Sequence, residues 1–157
     1  MATRRNLRRH LPLAGFGAAM LALAGCAAPV QVAQAPAGPI PPGQARIWFY
    51  REYEPSVSRN FANIDLNGAR VATVPPFGAA IYRDVAPGHY LISPESMGSD
   101  VNQSKEIDLR PGQEVFAKVL ADNTWVSGGD LNDYHRDTFY ISLIPPEVAR
   151  AQIALNR

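Results

Sequence analysis

The sequence predicts an all-β fold: an antiparallel β-sandwich of about seven to eight strands, closed by a short C-terminal helix. Three observations lead there. Between Ala45 and Ile144, short apolar and aromatic runs are divided by turn residues every 8–15 positions. No 3.6-residue hydrophobic period occurs before the last dozen residues. The chain has 157 residues, 14 of them Pro and 12 Gly, which leaves room for one ordinary domain and none for a multidomain enzyme.

The first segment is expected to be an export signal, residues 1–25. Arg4, Arg5, Arg8 and Arg9 crowd an N-terminus that has no acid, and an apolar run from Leu11 to Ala24 follows. That run is too short to span a bilayer, which takes about 20 apolar residues, and Pro12, Gly15 and Gly17 interrupt it. It ends in Leu23-Ala24-Gly25-Cys26, which resembles the lipobox of bacterial lipoproteins. The resemblance implies cleavage before Cys26 and acylation of its sulfur, a palmitate-type anchor that needs no membrane helix. Cys26 is the only cysteine, so the domain is expected to hold together without a disulfide. Thr3-Arg4-Arg5-Asn6-Leu7-Arg8 resembles a twin-arginine export motif, although an ordinary basic leader accounts for the same residues. Ala27 in place of Asp resembles the default for outer-membrane delivery in Gram-negative lipoproteins, so the expected address is the periplasmic face of the outer membrane.

Residues 26–44 form the expected linker, with five Pro, two Gly and no charge after Cys26. Such a composition cannot bury enough surface to order itself, and an extended tether of up to roughly 55 Å is expected. The β domain follows over residues 45–144. In Ala45–Tyr53, Ile47 and Phe49 face one way and Trp48 and Tyr50 the other, so both faces are expected to be covered. Residues 61–74 read as a hairpin through Asn67-Gly68, a favoured type I′ turn, pairing Ile64 with Val71 and Asp65 with Arg70. Hairpins are also expected through Pro87-Gly88 and Pro111-Gly112, where Asp84–Gly88 and Asp108–Gly112 repeat one turn device. Thr138–Ile144 reads as the last strand. Pro145-Pro146-Glu147 then opens a helix in the tail, residues 145–157, with Val148 and Leu155 on one side and Ile153 nearby.

The opening ARIWFYR, the Asn-Gly hairpin, the segment Tyr82–Tyr90 and Leu109-Arg110-Pro111-Gly112 before an aromatic strand resemble a bacterial lipoprotein family built on a domain of unknown function. The resemblance implies a transthyretin-like or immunoglobulin-like sandwich, distantly similar to PEGA modules, and carries no activity with it.

Charge and chemistry narrow the function. Removing the four leader arginines from the formal +1 leaves 11 basic against 14 acidic residues, or −3, without the basic stripe that nucleic-acid binding needs. No G-x-S-x-G nucleophile elbow occurs, and outside the leader only His89 and His135 could serve as bases. Glu52 and Glu54 read as exposed carboxylates. No catalytic residue and no cofactor are expected. The one metal alternative is calcium in the oxygen-rich stretch 121–137, through Asp122, Asp130, Asp133 and Asp137, which departs from EF-hand spacing.

Alternating strands would gather the short turns at one end with the linker, and the connections at about 54–60, 75–78, 94–103 and 121–137 at the other. Loops on a rigid sandwich concentrate recognition. The expected partner-binding set is therefore Tyr53, Arg59, Phe77, Met97, Trp125, Tyr134 and His135, with a fold-back over the core as the alternative for Trp125 and Tyr134. The function expected is a non-catalytic envelope lipoprotein that contacts an envelope protein, glycan or peptidoglycan. Its rivals are a spacer with no specific ligand and a calcium-dependent binder or hydrolase using 121–137.

Overall fold

A computed structural model describes residues 31–32, 37–54, 56–126 and 134–156, with the backbone alone at 31–32, 125–126 and 134–135. The chain folds as a two-sheet sandwich. One sheet has the order β1-β5-β2-β8-β9, from Gln31–Val32, Ala80–Val85, Ala45–Tyr50, Glu114–Val126 and Tyr134–Ile144. The other has the order β4-β3-β6-β7, from Ala69–Val74, Ala62–Leu66, Gly88–Pro94 and Lys105–Leu109. Pairings within the sheets are antiparallel except one: β2 runs parallel to β8, with Trp48 opposite Phe116. From β2 to β9 successive strands alternate in direction. The turns at 67–68, 86–87 and 110–113 thus gather with Ala45 at one end, the base. The connections 51–61, 75–79, 95–104 and the β8–β9 connection gather at the other, the distal end.

The alternation read in β2 explains the layering. Ile47 and Phe49 enter the inter-sheet core beside Ile64, Val74, Ile92, Val119 and Ile141, all nearly inaccessible to solvent. Trp48 and Tyr50 point to the opposite face, where α1 (Pro146–Leu155) covers them together with Phe116. The indole of Trp48 lies parallel to the Phe116 ring at 6.0 Å between centroids and donates through Nε1 to Glu114. The Tyr50 hydroxyl donates to Gln152 of α1 at 2.6 Å. Seated in this apolar layer, the Tyr50 phenol is pushed up to about 12 by burial, with the Glu52 charge as a lesser cause.

Local chemistry and structure part company at four places. The Asn67-Gly68 hairpin forms, with φ of 49° and 80° at the two central residues as a type I′ turn requires. Asp65 meets Arg70 at 2.6 Å as expected. Ile64, however, pairs with Ala72 and not Val71 because the register shifts after Asp65. An unbroken alternation would turn Thr73 inward and Val74 outward, and the bulge at Val71 reverses this, burying Ala72 and Val74. The Pro87-Gly88 and Pro111-Gly112 turns do not close hairpins. β5 and β6, and likewise β7 and β8, belong to different sheets, so the repeated Asp-x-x-Pro-Gly device turns a corner of the sandwich. In α1 the buried residues are Ala149 and, in part, Ile153, whereas Val148 is 44% and Leu155 86% exposed. Ala149, fully buried, is the α1 residue that packs into the cluster of Trp48, Tyr50 and Phe116.

The fourth difference concerns the linker. Where it is described, this segment lies on the domain: Gln31 and Val32 pair with Tyr82 and Ile81 of β5, and Ala37 packs with the Trp48 cluster. The carbonyl of Gly38 accepts from Arg46 Nη1 at 2.7 Å. Arg46, 3% exposed, forks onto both carboxylate oxygens of Asp84 and lies 4.2 Å from the Tyr82 ring centroid. The Asp84 hydrogen bonds keep its guanidinium above its ordinary value. The described residues of this Pro- and Ala-rich segment thus lie against the edge strand β5 and its neighbour β2.

Candidate functional site at the distal loops

Three connections build the described part of the distal end. After Tyr50 the β2–β5 ladder continues past the core: Arg51 N–H donates to the Ala79 carbonyl, and Tyr53 pairs with Phe77. This leaves Tyr53 and Phe77 side by side at the rim, 60% and 63% exposed. The connection 95–104 is bound along the edge of β9. Met97 N–H donates to the Asp137 carbonyl, Phe139 N–H to Ser96 Oγ and Ile141 N–H to the Gln103 carbonyl. Gly98 is pressed against Thr138 so closely that a Cβ there would sit 2.1 Å from Oγ1. The loop thereby satisfies the open edge of the sheet and props Met97 outward, 65% exposed. The Tyr140 hydroxyl donates to Asp100, which holds that carboxyl below its ordinary value of 3.8.

Beneath these loops lies a buried polar plug. Arg51 follows Phe49 on the inward face, 1% exposed, and donates to the carbonyls of Asn60 and Ser58. Asp137, on the inward face of β9, accepts from Ser58 Oγ at 2.5 Å and Asn60 Nδ2 at 2.7 Å. The carboxylate supplies the opposite charge to Arg51, whose guanidinium burial pushes below its ordinary value. Loop 56–60 is therefore fastened across the mouth of the sandwich by two side chains of the five-stranded sheet, Arg51 beyond β2 and Asp137 on β9. A cleft of about 270 Å³ lies along it, lined by Ser56, Val57, Ser58, Arg59, Asn60, Asn123 and Asp137.

The sequence-predicted residues fall as follows. Tyr53, Arg59, Phe77 and Met97 are all exposed at the distal end. Trp125 and His135 oppose one another near the distal tip of the β8–β9 hairpin, next to the Val126–Tyr134 pair, and the side chains of Trp125, Tyr134 and His135 lie outside the described residues. So do Asp130, Asp133 and the leader with Leu23, Ala24, Gly25 and Cys26. Of the calcium alternative, Asn123 opposes Asp137 and Thr138 opposes Asp122, so Asp122 and Asp137 point to opposite faces of the sheet and cannot share an ion. Among the described residues no three metal-ligating side chains gather. Glu52, expected to be exposed, is half-buried in an ion pair with Lys118.

Sequence reasoning missed Phe61 and Val101, 57% and 75% exposed at the same end. Phe61 has the parity of Asn63 and Asp65, so the alternation that turns Ile64 inward was the signal that turns Phe61 outward. No family model and no curated protein matches the chain.

Proposed function

We propose that the protein is a non-catalytic lipoprotein of the cell envelope, anchored through Cys26, whose distal loops bind a protein partner. The observation that supports this reading is the collection of exposed apolar side chains at one end of the sandwich: Tyr53, Phe61, Phe77, Met97 and Val101 are each more than half exposed. Apolar rings and a methionine beside an arginine, Arg59, match the composition of protein interfaces. Glycan recognition relies on flat rings alongside hydroxyl-directed polar groups, and Met97 and Val101 serve it poorly. The rigid plug under loop 56–60 suits the same role, since a preorganised loop loses little entropy on binding.

Photo-crosslinkers placed at Phe61 and Phe77 of the anchored protein test this. The expected result is one protein adduct from both positions, lost when Tyr53 and Met97 are changed to Ser. Equal capture from Asn67 in the basal turn would overturn the assignment.

A further inference from the structure

We propose that the linker is a strap and not a free tether, and that it seats the base of the sandwich on the lipid surface. The inference rests on the Cys26 anchor proposed above and concerns what that anchor does to the domain. β1 runs antiparallel to β5, and β5 runs toward the base, so β1 runs away from it and Gln31 is its basal end. Only residues 27–30 lie between Cys26 and Gln31. Whatever their conformation, five Cα steps reach at most about 18 Å. Gln31 is level with Tyr82, three residues above Val85, the basal end of β5. Those three residues consume about 10 Å of that reach. About 8 Å remains, where an unfastened chain from Cys26 to Ala45 would give several times that.

The second fastening lies on the outer face. Ala37, Gly38, Pro39 and Ile40 wall a groove of about 510 Å³ against Trp48, Phe116 and α1. Gly38 is held by Arg46, and Arg46 by Asp84. The chain is thus attached to the open edge of β5 and to the outer face of β2 before it enters the sheet at Ala45. Lengthening it at different points should therefore have different effects. Near the base, Arg70 of β4 and His89 of β6 each face an acid, Asp65 and Glu95 for Arg70 and Asp108 for His89, and the 110–113 turn adds a single exposed cation, Arg110. The seating is imposed by covalent reach more than by charge, and it should resist salt.

The test uses the full mature chain in vesicles of zwitterionic lipid, with energy transfer from a dye on Arg110→Cys, exposed in the basal 110–113 turn, to a headgroup acceptor. A ten-residue Gly/Ser insertion between Val30 and Gln31 is expected to raise the base by about 17 Å. The same insertion between Gln34 and Ala35, beyond β1, is expected to leave the height unchanged. Equal rises from both insertions would overturn the strap. Hydrogen exchange of β5 in the unlipidated Cys26→Ser chain separates the two readings. The amide of β5 that faces β1 is expected to be protected and to lose protection in Gln31→Pro, Val32→Pro, since removing β1's own donors unpairs the strand whose carbonyl that amide uses. Protection in this chain, together with native protein whose Cys26 carries no lipid by mass spectrometry, would sink the anchor and keep the strap; absence of protection would sink the strap alone.

Discussion

At the scale of single residues, the most consequential choice is a pair of opposite charges placed inside the sandwich. Asp137 accepts from Ser58 and Asn60 and faces Arg51, so its removal strands two donors and a buried cation together. Asp137→Ala should cost about 3 kcal/mol, read as a lower urea midpoint at unchanged slope. Tyr50 gives a second residue-level outcome. Its phenol is neutral in the fold up to about 12, while an unfolded tyrosine ionises near 10. A group raised in the folded state contributes stability below the unfolded value and loses it as pH climbs toward the folded one. Stability should therefore fall between pH 10 and 12, and Tyr50→Phe should flatten that limb in a series of thermal melts. The two buried charges were the least legible from sequence. Arg51 and Asp137 look like surface charges because burial of a charge depends on partners some 80 positions apart, which no local pattern encodes.

At the scale of elements, the helix shows how a partner face selects residues. α1 meets the sheet through Ala149 and Ile153, so Ala149→Leu should cost about 1–3 kcal/mol by overpacking against Phe116, whereas Val148→Ser should change stability by less than about 0.5 kcal/mol. Thermal denaturation of the two variants measures both. The double-faced reading of β2 was legible because alternation is a local property. So was the Asn67-Gly68 turn, whose backbone demands are met by those two residues. The Pro-Gly corners were not: they announce a reversal, yet whether the next strand joins the same sheet depends on the strand it will pair with. The Val71 bulge lies between these cases, since Val71 and Val74 are three apart and cannot both face inward on an unbulged strand.

At the scale of the whole molecule, the sandwich separates an end that is tied down from an end that is free. The base collects short turns and the strap; the distal end collects long connections and exposed rings. The gathering of loops at that end followed from counting strands, and the rings at its rim were largely named in advance. The strap was not legible, because proline and alanine composition describes what a segment does alone. Gly98→Ala would drive a Cβ into Thr138 Oγ1 and lift connection 95–104 from β9. The expected result is faster hydrogen exchange at Phe139 and Ile141, with partner capture weakened from the same end.

The parallel pairing of β2 with β8 has a consequence for how the chain matures. β2 is flanked by β5 and β8, and its partner residues in β8 begin at Glu114, 68 positions after Arg46. The centre of the five-stranded sheet therefore closes only when nearly all of the polypeptide is available, a high contact order that slows folding. A chain emerging from the ribosome with its N-terminus first would hold no finished sandwich until its last quarter had been made. A fragment ending at Gln113 should accordingly show no cooperative unfolding transition by circular dichroism.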